Sequence, residues 1–138
     1  MNLQVAKSPT GGDRLVYKRF PPISRHQLAL YCGASGDHNP IHVDLDFAQK
    51  AGFDDVFVHG MLVMAYLGQA LTDVVAQSAL RSFSTRFCTI TQLGAQLTCE
   101  GNVVELLEAD GEKRARLSLT AKDEKGEVKL AGEAVIAL

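Results

Sequence analysis

No apolar run in this sequence exceeds the seven residues from Met61 to Leu67. That is far short of the roughly 20 needed to cross a bilayer as a helix, so no membrane partner is expected. The first residues also lack the apolar stretch of a secretory signal, which makes the cytoplasm the expected location. Basic excess is missing too: 14 Lys and Arg face 16 Asp and Glu, for a net charge of -2. A nucleic-acid binder usually carries the opposite balance, so no such partner is expected. Cysteine is sparse. Cys32, Cys88 and Cys99 are odd in number and far apart, which suits neither a disulfide framework nor a CxxC zinc site. Each is expected to be a small, reduced, buried hydrophobe. Internal repeats, low-complexity tracts and long charge runs are absent as well.

What is present describes a folded domain. Apolar residues make up 46% of the 138 and charged residues 22%, ordinary values for a globular protein and too apolar for a disordered one. The length suits a single domain with one core, residues 1–138, of which residues 1–13 read as a loose arm. Leu15, Tyr17 and Phe20 suggest a short strand, closed by Pro21 and Pro22. Ser24 and Gln27 have capping-box spacing, and Leu28, Tyr31 and Cys32 follow at i, i+3, i+4, so a helix is predicted from Ser24 to the glycines at 33–36. A second short helix is predicted from Asp44 to about Ala51, stopped by Gly52. From Gly60 to Ala76 only Gly60, Gly68, Gln69, Thr72 and Asp73 are not apolar. This predicts a third helix buried on most sides.

The period then changes from helical to two. Phe83, Thr85 and Phe87 alternate with Ser82, Ser84 and Arg86; Leu117, Leu119 and Ala121 alternate with Arg116, Ser118 and Thr120. Val128, Leu130, Ala134 and Ile136 are placed on one face of a last strand, with Lys129 and Glu133 on the other. Asp110-Gly111 and Lys125-Gly126 are turn signals. The last 60 residues or so therefore predict a meander of about four antiparallel strands. A buried helix followed by such a sheet is an α+β arrangement, most simply with the sheet wrapped around the helix.

Residues able to move protons concentrate between Asp37 and His59. Asp37 and His42 are five apart, which on a helix would splay them by roughly 140°. The turn Gly36-Asp37-His38-Asn39-Pro40 can instead fold back and aim both at one point, where a carboxylate and an imidazole sharing a water form a proton-transfer pair. The plainer possibility is that Asp37 and Asn39 make turn hydrogen bonds and that His42 is a half-buried strand histidine. Downstream, His59-Gly60 precedes the apolar helix. The first amides of a helix have no partner within it and lie at its positive end. A glycine there permits close approach by a ligand oxygen that gains negative charge; otherwise Gly60 only lets the helix start in a crowded place.

Taken together, Tyr31-Cys-Gly-Ala-Ser-Gly-Asp-His-Asn-Pro-Ile-His42 and Val58-His-Gly-Met-Leu62 resemble the motifs of MaoC-like, (R)-specific enoyl-CoA hydratases. The resemblance runs from about Phe20 to Leu138. It implies a hot-dog fold, a long central helix wrapped by a curved antiparallel sheet, and at least a homodimer with the substrate tunnel near the interface. It implies an acyl-CoA, or acyl carrier protein, thioester as substrate, and a chemistry that needs no metal or redox cofactor. Asp37 and His42 become the catalytic pair, and the Gly60 N–H the donor to the thioester oxygen. Asn39 becomes an orienting residue of the substrate site, with His59 beside it. Arg86-Phe87 resembles an Arg-Phe of the family, so Phe87 touches the acyl or pantetheine part or else packs in the core. Two departures stand out: Cys88 to Gly94 lacks the prolines of many relatives, and Gly68 stands where some carry a hydroxyl.

Three other readings share these residues. A thioesterase on the same fold would drive water onto the thioester carbonyl instead, and a non-catalytic subunit would bind the thioester without turning it over. A metal site could draw on His38, His42, Asp37, Asp44 and His59, but Pro40 breaks the helix on which residues four apart would chelate, so no metal is expected.

Overall fold

The computed structural model describes residues 9–138; the first eight residues of the expected arm lie outside it. Gly12 donates to the Val103 carbonyl (2.7 Å) and Val103 to that of Asp13 (2.8 Å), so the described part of the arm lies along the sheet. Strand β1 (Arg14–Arg19) leads to helix α1 (Arg25–Ser35), a 3-10 turn (Pro40–His42), helix α2 (Leu45–Lys50) and helix α3 (Gly60–Thr72). A second 3-10 turn (Gln77–Ala79) precedes strands β2 (Leu80–Phe87), β3 (Thr98–Ala109), β4 (Glu112–Lys122) and β5 (Val128–Ala137).

The predicted helix boundaries have visible local causes. The Ser24 hydroxyl accepts from Gln27 N (3.2 Å) and the Gln27 side chain from Ser24 N (3.5 Å), completing the capping box. Gly36 ends α1 at φ 77°, a left-handed conformation that costs glycine little. Asp44 caps α2 through Phe47 N at 3.2 Å. Helix α3 departs from expectation: it stops at Thr72, not Ala76. Thr72, Val74 and Val75 are β-branched and lose side-chain freedom in a helix, and Val75 is buried without continuing it.

The five strands form one antiparallel sheet in the order β1-β3-β4-β5-β2. Only β3, β4 and β5 are a meander. Strand β2 does not pair with β3, as the expected four-stranded meander required. It crosses to β5, with Phe87 opposite Leu130 and Phe83 opposite Ala134. The sheet packs its apolar face on α3, whose Leu62, Val63, Tyr66, Leu67, Ala70 and Leu71 are buried. Leu117, Leu119 and Ala121 of β4 and Leu130 and Ala134 of β5 are fully buried, each Leu contributing about 1.5–3 kcal/mol by leaving water. The helix is not covered all round, for Met61 is 54% exposed. Among the described residues no helix is long and apolar enough to cross a membrane.

Lys129, expected on the strand face opposite Leu130, is buried. Its Nζ donates to the Ile90 carbonyl (2.9 Å) and pairs with Glu127 and with Asp123 at 3.5 Å. The segment joining β2 to β3 passes over the start of β5, and this cation ties the two together.

Candidate active site

The site is built where the loop after α1 meets the start of α3. Beyond Gly36 the chain makes two successive Asx turns, in which a side-chain oxygen accepts from an amide two residues on. Asp37 Oδ1 accepts from Asn39 N (3.2 Å) and Asn39 Oδ1 from Ile41 N (3.1 Å). Pro40 then opens the 3-10 turn that swings His42 inward to 8% exposure, while Asp37 stays at the surface. Arg25 grips Asp55 through both terminal guanidinium nitrogens (2.9 and 2.7 Å), fixing α1 against the segment that leads to α3.

Phe57 belongs to that segment, and His42 Nδ1 lies 2.7 Å from its carbonyl. A carbonyl oxygen only accepts, so Nδ1 carries a proton, and in the neutral ring Nε2 holds the free lone pair. The His42 ring stacks on that of His59, with centroids 3.9 Å apart and planes at 26°. His59 is fully buried. Its Nε2 lies 3.4 Å from both the Asp37 carbonyl and Cys32 Sγ, and the Tyr31 ring meets it edge-on at 4.7 Å. Burial, then the neighbouring His42, hold His59 below the usual histidine range, against an opposing pull from the Asp37 carbonyl and carboxylate. Burial, then the charge of Asp37, push Tyr31 and Cys32 up.

The three side chains of Asp37, His42 and His59 bring one polar atom each within 4.8 Å of one another. That proximity alone would serve a metal. Imidazole lone pairs lie in the ring plane, however, and two stacked rings cannot both aim at one ion about 2 Å away.

Beside it opens a cleft of about 370 Å³, lined by Phe57, Val58, Gly60, Val63, Leu130, Lys129 and the stretch from Phe87 to Thr91. Gly60 opens α3 at the cleft wall, so its amide is one of the helix's unpaired first donors. The expected residues thus fall into two adjoining groups. Asp37, His42 and His59 form the polar cluster, and Gly60 and Phe87 line the cleft. Asn39 shapes the turn between Asp37 and His42, with its amide oxygen occupied by Ile41 N. His59, expected at the substrate, lies beneath the His42 ring. His38 and Asp44, weighed as metal ligands, are outside the cluster.

Residues 8–125 match the family of the MaoC like domain. The chain belongs to that family. The (R)-specific enoyl-CoA hydratase of Rhodospirillum rubrum is 30% identical over 116 residues, which cover 83% of this chain and 78% of the relative. Enoyl-CoA hydratase ChsH3 of Mycobacterium tuberculosis is 32% identical over 101 residues, or 67% of this chain and 35% of the relative. Among solved structures, the unliganded R-hydratase PhaJ1 from Pseudomonas aeruginosa superposes with a TM-score of 0.84 at 27% identity, over 99% of this chain and 86% of that one. The fold of this MaoC-like domain is the hot-dog fold of these neighbours. Its length is only part of some curated relatives: 35% of ChsH3 and 24% of the peroxisomal enoyl-CoA hydratase 2 of Arabidopsis thaliana.

Sequence reasoning missed four participants. Tyr31 and Cys32 read only as an apolar helix face, although the same two residues stand at the head of the motif. Phe57 acts through its carbonyl, which no side-chain pattern reveals. Lys129 read only as a residue on the polar face of its strand.

Proposed function

We propose that this MaoC-like domain catalyses the reversible syn hydration of trans-2-enoyl thioesters to (R)-3-hydroxyacyl thioesters. Coenzyme A, or acyl carrier protein, carries the acyl group. Asp37 and His42 are the catalytic pair, and the Gly60 N–H binds the thioester oxygen. Asn39 shapes the turn that orients the pair, and Phe87 lies along the acyl or pantetheine part. The observation that carries the reading is the 2.7 Å bond from His42 Nδ1 to the Phe57 carbonyl, which leaves Nε2 as a base beside Asp37.

The chemistry follows from the substrate. The carbonyl draws electrons from the β-carbon, so a water held between Asp37 and His42 attacks there. His42 Nε2 takes one water proton as the carbon–oxygen bond forms, and the Asp37 carboxylate stabilises the imidazolium. Negative charge collects on the thioester oxygen, against the Gly60 amide at the positive end of α3. The enolate-like intermediate then takes the proton back from Nε2 at its α-carbon, on the same face. Every proton removed is returned, and dehydration is the same path reversed. Met61, Phe87 and Ile90 are exposed apolar residues at or beside the cleft, and a second copy of the chain would cover them in a homodimer.

The test is to mix the protein with crotonyl-CoA and follow enoyl absorbance and free thiol together. Loss of absorbance without thiol release is the expected result. Thiol release with the enoyl group intact would make the protein a thioesterase.

A further inference from the structure

We infer that His59 is the positioning residue of this site: it touches no substrate, and it holds both the ring of His42 and the backbone of Asp37 in place. The inference rests on the hydratase reading above for its catalytic consequences, and on geometry for the rest. His59 is the N-cap of α3, yet its side chain makes no capping hydrogen bond. Ser, Thr, Asp or Asn would serve the helix better there, so helix stability does not account for a histidine. Its contacts lie elsewhere. Its ring face supports His42 at 3.9 Å and its Nε2 lies 3.4 Å from the Asp37 carbonyl. At 1% exposure it has no surface to offer a ligand, and the next residue is Gly60. One side chain therefore joins the two members of the pair and sits at the root of the third group.

The protonation pattern fits this role. The Asp37 carbonyl can only accept, which places the proton of His59 on Nε2 and leaves its buried Nδ1 without a partner. His42 has the opposite tautomer, with its proton on Nδ1. The titratable groups that face His59 are Tyr31 and Cys32 on α1, Asp37 on the loop and His42 on the 3-10 turn. A second imidazolium stacked against His42 would oppose the charge that His42 takes up in the reaction, so a neutral His59 is the form that supports turnover.

Two measurements decide this. In the wild-type protein, nitrogen-detected NMR of the imidazoles at neutral pH should find His59 protonated on Nε2 and His42 on Nδ1. A proton on His59 Nδ1 would remove the Asp37 bond and overturn the inference, whatever reaction the protein catalyses. In hydration kinetics, His59→Leu should lower kcat by on the order of 10–10²-fold, the scale of a misplaced catalytic group, with KM little changed. His59→Gln, whose amide N–H reaches about where Nε2 stands, should recover part of kcat. A raised KM with kcat intact would make His59 a substrate contact and overturn the inference. If the wild-type protein hydrates no enoyl-CoA, the hydratase reading fails and the tautomer measurement still decides the placement of His59.

Discussion

The Phe87 ring lies over Gly60 so closely that a Cβ on the glycine would meet its Cδ1 and Cε1 at 3.0 Å. The Phe87 ring therefore occupies the side of Gly60 on which a side chain would project. Gly60→Val should push Phe87 aside and block approach to the amide. Turnover is expected to fall by about 10²–10³, the scale for losing an oxyanion donor. Binding of a saturated acyl-CoA, measured by calorimetry, should change far less. Unchanged turnover would leave Gly60 a purely structural role.

Asp37→Asn and His42→Ala should each lower the hydration rate by on the order of 10²–10⁴-fold, as expected for removing a positioned acid or base. Asp37 is exposed and engages mainly its own turn, so its variant should keep the wild-type thermal midpoint closely. His42 is buried, and its variant should melt somewhat lower. Near-normal turnover in a folded Asp37→Asn protein would remove that residue from the chemistry.

Much of this was legible in the sequence because its causes are local. The capping box at Ser24 and Gln27 needs only four residues, and the Asx turns at Asp37 and Asn39 need only Pro40 to turn them away from a helix. The alternation of Leu117, Leu119 and Ala121 reported the buried face of β4 correctly. What failed was non-local. The partner of β2 is β5, more than 40 residues away along the chain, and periodicity carries no information about pairing. The burial of Lys129 depends on acceptors at Ile90, Asp123 and Glu127, which come together only in the fold. The His42–His59 stack is hidden for the same reason: it joins a 3-10 turn to the start of a helix.

The three thiols should differ sharply toward a thiol reagent. Cys32 and Cys99 are buried, and burial pushes the Cys99 thiol up to about 12. Cys88, expected to be buried like the other two, is instead exposed and lines the cleft. The thiolate is the reactive form, so at mildly alkaline pH Cys88 should react first and alone until the protein unfolds. A saturated acyl-CoA should slow that reaction by occupying the cleft. Labelling followed by peptide mass analysis checks both, and a Cys88 rate indifferent to acyl-CoA would place the ligand elsewhere.

Stability should depend on pH through Glu112. Hydrogen bonds from Arg81, then from Arg114, lower its carboxyl from the ordinary 4.5 to about 2. A carboxyl lowered by folding contributes stability that is complete above its unfolded value and is lost as pH falls through its folded one. Wild type should therefore melt higher than Glu112→Gln above about pH 4.5, and the gap should close towards pH 2. Thermal midpoints across that range are the measurement, and a gap independent of pH would contradict the pairing. The group is partly open to solvent, so the gap should be modest and should shrink in high salt.

The most direct test of the arrangement of Asp37, His42 and Gly60 is the stereochemistry of hydration. In the proposed reaction the pair leaves one short turn and reaches only one face of a flat enoyl group, so His42 would return its proton to the face that the water attacked. Crotonyl-CoA hydrated in deuterated water should give the (R)-3-hydroxy product with deuterium added syn at the α-carbon, read by chiral separation and NMR. A predominantly (S) product, or anti addition, would contradict it, even if Asp37 and His42 proved essential.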